Sequence, residues 1–190
     1  MKNLHNKQEA RAYTLIELLV VIFLLIIVGT LIVGILNSTI IGNAKSKIAT
    51  DLGQNGNYAL SIISDIVLNS LNLDKVTDAS GTDYTSCTPT GITAKSLQIL
   101  GFDGGTTVLK CDDIGYSPSN TISSNSASLL DTTRVKLVTG SCTFTCYQAD
   151  DYSLPRIDVT FQLTNVSGTA YSDTAKFSTS LAVRNKKIRQ

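Results

Sequence analysis

The stretch LLVVIFLLIIVGTLIVGIL, Leu18 to Leu36, holds no charged residue in 19 positions. Counted from Tyr13 the apolar segment has 24 residues. As a helix that is about 36 Å long, enough to cross a hydrocarbon core of about 30 Å. Gly29 and Gly34 cost it some helix propensity, but glycine is common in membrane helices. The rest of the chain is of another kind. Mean hydropathy over all 190 residues is +0.14, and with Leu18–Leu36 set aside it falls below zero. The sequence therefore reads as one membrane-grade segment attached to about one water-soluble domain.

On the N-terminal side lies MKNLHNKQEARA, Met1 to Ala12, in which Lys2, Lys7 and Arg11 oppose a single Glu9. A short basic stretch suits the cytoplasmic side of a membrane helix, although Lys45 and Lys47 on the far side weaken the count. On the C-terminal side the pattern becomes one-sided. Ile48, Leu52, Ala59, Ile62, Ile63 and Ile66 recur at helical spacing, with Lys45, Lys47, Asp51 and Asp65 between them. The spacing predicts one long helix over 13–73, membrane-spanning over 13–36 and amphipathic over 37–73. Gly53 and Gly56 mark its expected weak point, since an interior glycine costs about 1 kcal/mol relative to alanine.

Residues 74–190 are rich in Ser, Thr, Gly and Asp and predict a β-rich head. Residues 78–91 and 115–133 read as loops. Arg156 to Thr164 is the clearest strand, with Ile157, Val159, Phe161 and Leu163 alternating with polar residues. Phe177, Leu181 and Val183 alternate with Lys176, Ser178 and Ser180, and the turn-rich NVSGTAYSD between the two strands predicts an antiparallel hairpin. Weaker strand patterns cover 92–100, 106–111, 134–139 and 142–147. The expected fold class is α+β, a long N-terminal helix packed on a C-terminal antiparallel sheet.

Composition excludes several chemistries. Sixteen Lys+Arg against fifteen Asp+Glu give a net charge of +1, so the chain as a whole is no charge-driven nucleic-acid binder. The single histidine, His5, lies before the apolar segment. Serine or cysteine nucleophile systems and histidine-ligated zinc have no imidazole downstream to use. No phosphate-binding loop or nucleophile-elbow motif is present. The four cysteines, Cys87, Cys111, Cys142 and Cys146, all follow the apolar segment. In an exported domain an even number reads as two disulfides, with three possible connectivities. A four-thiolate zinc site is disfavoured because the spacing lacks paired CxxC knuckles. Cys142 and Cys146 would lie about 13 Å apart in one straight strand, too far to bond. Either that segment bends and they pair together, or each pairs with Cys87 or Cys111. Sequence proximity favours Cys87–Cys111 with Cys142–Cys146.

The most informative residues straddle the start of the apolar run: Ala12-Tyr13-Thr14-Leu15-Ile16-Glu17-Leu18-Leu19-Val20-Val21-Ile22. Glu17 is one of only two glutamates and adjoins 27 uncharged residues. A charge at the centre of a membrane helix costs about 2.5–3.5 kcal/mol, so it calls for a partner or an interface. This region resembles a type IV prepilin or pseudopilin. In that family a basic leader ends in a small residue, a membrane peptidase cuts there, and the new N-terminal residue is methylated. A glutamate stands five residues into the mature chain. The resemblance places cleavage between Ala12 and Tyr13, methylation on Tyr13, and the assembly glutamate at Glu17. Ala12 stands where the family usually has Gly, and Tyr13 where it usually has Phe. The proline of many major pilins has no counterpart here; Gly34 lies near that place, which leans toward a minor subunit. Phe177 to Asn185 also resembles the C-terminal strand of J-type minor pseudopilins, which often ends in Arg-Asn.

The resemblance implies a structural subunit rather than an enzyme; no cofactor is expected and no residue is assigned to a metal. Its implied partners are the prepilin peptidase/methylase, other pilin or pseudopilin subunits, and the inner membrane before assembly. The implied location is a single-pass inner-membrane precursor with its head exported, then a filament at the periplasm or cell surface. Arg184, Lys186, Lys187 and Arg189 could form a nucleic-acid contact, but the patch is short and lacks interleaved aromatics, so a solvated tail is the simpler account. Some pseudopilins bind calcium in the head. Asp112-Asp113 and Asp150-Asp151 offer carboxylates, yet no calcium-loop pattern surrounds them. The competing reading is a membrane-anchored extracytoplasmic binding domain that keeps residues 1–12 and never polymerises. A histidine-free exported hydrolase is a third, and would need a pocket of convergent acids.

Overall fold

The computed structural model describes residues 14–112, 120–150, 152–166 and 171–183. The chain divides into two units, Met1–Ala44 and Lys45–Gln190. A single helix, α1 (Leu15–Leu68, 54 residues), runs through both. Among the described residues of the first unit it is the only regular element, and its side chains from Leu15 to Ile40 are exposed.

In the second unit α1 becomes one-sided. Ile48, Leu52, Gly56, Ala59, Ile63 and Val67 are buried, three or four residues apart, and they join the core formed with the sheet. The helical periodicity expected from the sequence is thus present. Helix α1 continues unbroken through Gly53 and Gly56. Gly56 is a contact point rather than a break: a Cβ there would run into the Phe177 ring. That ring stacks in turn on Phe161, with centroids 5.3 Å apart.

Ten strands follow: β1 (Ser70–Asp78), β2 (Asp83–Tyr84), β3 (Ile92–Gly101), β4 (Thr106–Asp112), β5 (Thr121–Ser124), β6 (Ala127–Ser128), β7 (Val135–Leu137), β8 (Thr143–Tyr147), β9 (Arg156–Asn165) and β10 (Thr174–Ala182). They form one antiparallel, curled sheet with the path β10-β9-β8-β3-β4-β5-β6, β1 adding to β3 and β7 to β9. Two edges are shared. Along one edge of β3, residues 92–94 pair with β8 and residues 96–100 pair with β4. Along one edge of β9, residues 156–160 pair with β8 and residues 163–165 with β7. The two arms meet again where β5 approaches β7 and the Leu137 amide donates to the Asn120 carbonyl at 2.8 Å. The interior holds Ile157, Val159, Phe161 and Leu163 of β9, all fully buried. The hairpin of β9 and β10 has the expected antiparallel register, Phe161 opposite Phe177.

Three expectations need correction. The helix does not reach Leu73; it ends at Leu68, and Ser70–Asp78 is a strand. Register shifts along β1 place its buried residues at Ser70, Leu73 and Val76, three apart, so a bulged strand carries the spacing of a helix. The span 115–133 is not all loop, since β5 and β6 form a hairpin in it. Its two central residues, Asn125 and Ser126, have φ of 48° and 69°, the signature of a tight primed turn. Finally, the disulfides are Cys87–Cys146 and Cys111–Cys142. Cys142 and Cys146 do not pair because β8 is held straight between β3 and β9. Cys142 instead bonds Cys111 of β4 and Cys146 bonds Cys87 in the segment before β3, at Cα separations of 5.7 and 5.5 Å.

Acidic side chains organise the turns around this sheet. Asp78 Oδ1 accepts from the Ser80 and Thr82 amides and from the Ser80 hydroxyl. Asp83 accepts from Lys75 Nζ at 2.8 Å and from the Thr77 hydroxyl. Asp131 accepts from Thr133. These bonds favour the charged carboxylates and hold all three below the ordinary aspartate value, led by Ser80 at Asp78, Lys75 at Asp83 and Thr133 at Asp131. A depressed folded pKa gives stability that is present above the unfolded value of about 3.9 and is lost as pH falls through the folded value. The denaturation midpoint is expected to hold level down to about pH 5 and to fall below about pH 4. Asp83→Asn should flatten that acid limb, and a midpoint series from pH 3 to 7 checks it.

Candidate functional site

The Glu17 region is built by the start of α1. Thr14 is non-helical and caps the helix: its hydroxyl accepts from the Glu17 amide at 3.3 Å, and its carbonyl accepts from the Glu17 and Leu18 amides at 3.1 and 3.2 Å. Glu17 lies in the first turn, where the exposed amides of the helix end favour a negative charge. Thr14 was not among the expected site residues; the signal that could have found it is Thr-x-x-Glu ahead of an apolar run, the pattern of a capping box.

Beyond Glu17 the helix presents an all-round apolar surface. One 18-residue window reaches a mean hydropathy of 3.3, and α1 is long and apolar enough to cross a membrane. Its two threonines there satisfy their own hydroxyls: Thr30 donates to the Ile27 carbonyl at 2.8 Å and Thr39 to the Ile35 carbonyl at 2.9 Å. Side chains from Leu15 to Ile40 thus offer an unpartnered surface suited to lipid or to other helices. Together with the two disulfides, this fits a single-pass anchor carrying an extracytoplasmic head.

The other predicted residues are distributed as follows. Ala12 and Tyr13 lie outside the described residues, as do Asp113, Asp151, Arg184, Lys186, Lys187 and Arg189. Cys87, Cys111, Cys142 and Cys146 come together in the core as two bonded pairs. Asp112 binds Lys110 at 2.6 Å and accepts from the Ser123 hydroxyl. Asp150 caps its own turn by accepting from the Tyr152 and Ser153 amides. Both carboxylates therefore have structural partners, and no group of three or more metal-ligating side chains occurs among the described residues.

Comparison with family models, curated proteins and solved structures returned no match.

Proposed function

We propose that this protein is the precursor of a structural filament subunit, a minor pilin or pseudopilin of a type IV pilus, type II secretion or competence system. The observation that carries the reading is Glu17, a lone acid in the first turn of α1, whose apolar side chains up to Ile40 are exposed and unpartnered. Cleavage after Ala12 creates an α-ammonium on Tyr13, four residues before Glu17 in the sequence. In a bundle of such helices the glutamate of one subunit meets the ammonium of a neighbour, and the charge is neutralised as lipid is left behind. The apolar surface is reburied against other helices, so leaving the bilayer is not ruinous. The protein acts on no substrate; it is processed by a peptidase/methylase, and its movement is driven by a separate ATPase. Its head is exported, first from the inner membrane and then on the filament.

A second reading draws on the Thr14 cap. The cap gives Glu17 a local role at a helix end, which is all that a non-polymerising membrane anchor with an extracytoplasmic binding domain requires. The two readings predict different N-termini. Mass spectrometry of the protein from its native cells is expected to show a chain beginning with N-methylated Tyr13; an intact Met1 start selects the anchor. Glu17→Gln is expected to leave membrane insertion unchanged and to cut recovery in sheared filaments at least tenfold. Equal recovery would sink the assembly role.

A further inference from the structure

The two disulfides are nested. Cys87–Cys146 spans 59 residues and encloses Cys111–Cys142, which spans 31. Neither bond joins Cys87 to its nearest cysteine in sequence, Cys111. We propose that the head reaches this pairing only with the help of a dithiol disulfide isomerase, a partner distinct from the oxidant that makes the bonds. The proposal rests on the exported-head part of the reading above.

A head that trails α1 out of the membrane presents Cys87 and Cys111 to the oxidant before Cys142 and Cys146. Closing about 24 residues rather than 59 favours Cys87–Cys111 over Cys87–Cys146 by about fourfold from loop entropy alone. Native structure corrects this late. Cys146 lies in β8, which pairs with β3 along one edge and is completed along the other only when Arg156–Thr160 of β9 has emerged. Once the head is folded the cysteines are 9%, 5%, 0% and 0% exposed, in chain order, and an external thiolate has no path to them. Repair must precede burial.

The exchange balances without net oxidation. Making two bonds from four thiols releases four electrons and four protons to the oxidant. From Cys87–Cys111 and Cys142–Cys146, the isomerase thiolate attacks Cys87 Sγ, forms a mixed disulfide and frees Cys111 as thiolate. Cys111 attacks Cys142 Sγ, making Cys111–Cys142 and freeing Cys146. Cys146 attacks Cys87 Sγ, making Cys87–Cys146 and returning the isomerase thiolate.

The test uses the full chain, reduced and unfolded, diluted into detergent micelles with diamide as oxidant, with and without a purified dithiol isomerase. Cross-linked peptides are quantified by non-reducing mass spectrometry. Diamide alone is expected to give Cys87–Cys111 about fourfold over Cys87–Cys146, the loop-entropy preference, and the isomerase to invert that ratio. Native pairing that predominates without the isomerase overturns the proposal. The variant C111S/C142S leaves only Cys87 and Cys146, so its bond should form equally with and without the isomerase; continued dependence also overturns the proposal. In bacterial cells, loss of the isomerase should raise the Cys87–Cys111 peptide at least fivefold, and an unchanged level counts against the proposal. Four reduced thiols in both strains would sink the exported-head reading instead, while the micelle result still decides the pairing order.

Discussion

Replacing Cys87 and Cys146 together by serine is expected to cost the head about 4 kcal/mol of stability. The bond closes a loop of 59 residues, and the chain entropy it removes from the unfolded state grows with the logarithm of that length. At about 3 °C per kcal/mol for a domain of this size, the melting temperature should fall by roughly 12 °C. The effect has a structural side as well. Cys87 precedes β3 and Cys146 lies in β8, so the bond fastens the segment entering β3 to the strand on which the two arms of the sheet depend. Thermal melts of wild type and the double variant, each with and without reductant, measure it. A variant that melts within about 3 °C of the wild type would show that the cross-link adds little to the packed sheet.

Gly56→Val should destabilise the head by about 3 kcal/mol, at the upper end of overpacking effects. The reason is local: the Phe177 ring occupies the space that a Cβ at Gly56 would take, and that ring is backed by Phe161. Phe161 is fully buried in β9 and blocks the half-buried Phe177 ring on the side where the two stack. Gly53, one turn earlier, has nothing within 4 Å of a Cβ, so Gly53→Ala should stabilise by about 0.5–1 kcal/mol through helix propensity alone. The contrast separates contact from propensity. Chemical denaturation of the two variants should move the midpoint in opposite directions, and a shared direction would refute the role assigned to Phe177. In a Phe177→Ala background the penalty at Gly56 should shrink, since the clashing ring is gone.

These two sites show which parts of the fold could be read in advance. The apolar run from Leu18 is uniform because one environment suits it all round, and the strand Arg156–Thr164 has a clear period of two because one of its faces is buried along its length. Ile48, Leu52, Ala59 and Ile63 were legible as a buried stripe for the same reason. Strand β1 was not, because its register shifts convert a period of two into a spacing of three, and a sequence pattern cannot tell a bulged strand from a helix. Strands β5 and β6 were hidden by composition: Thr121 and Ser123 are buried, so residues that signal a loop line part of an interior here. The pairing of the cysteines was illegible because it depends on β8 lying between β3 and β9, a tertiary fact. At the N-terminal end, Glu17 stood out by its isolation, whereas Thr14 required recognising that a cap and an acid three residues apart form one unit.

The nested bonds also set how the head responds to a protease. Any single backbone cut between Cys87 and Cys146 leaves two pieces that remain covalently joined, through the outer bond alone or through both bonds. Cuts within 111–142 are the most tolerant, for there both bonds still tie the pieces together. A clipped subunit would keep its mass apart from one added water, run as one band without reductant and as two with it, and keep its head tethered to α1. Damage in that span would be invisible to any assay that asks only whether the head is still attached.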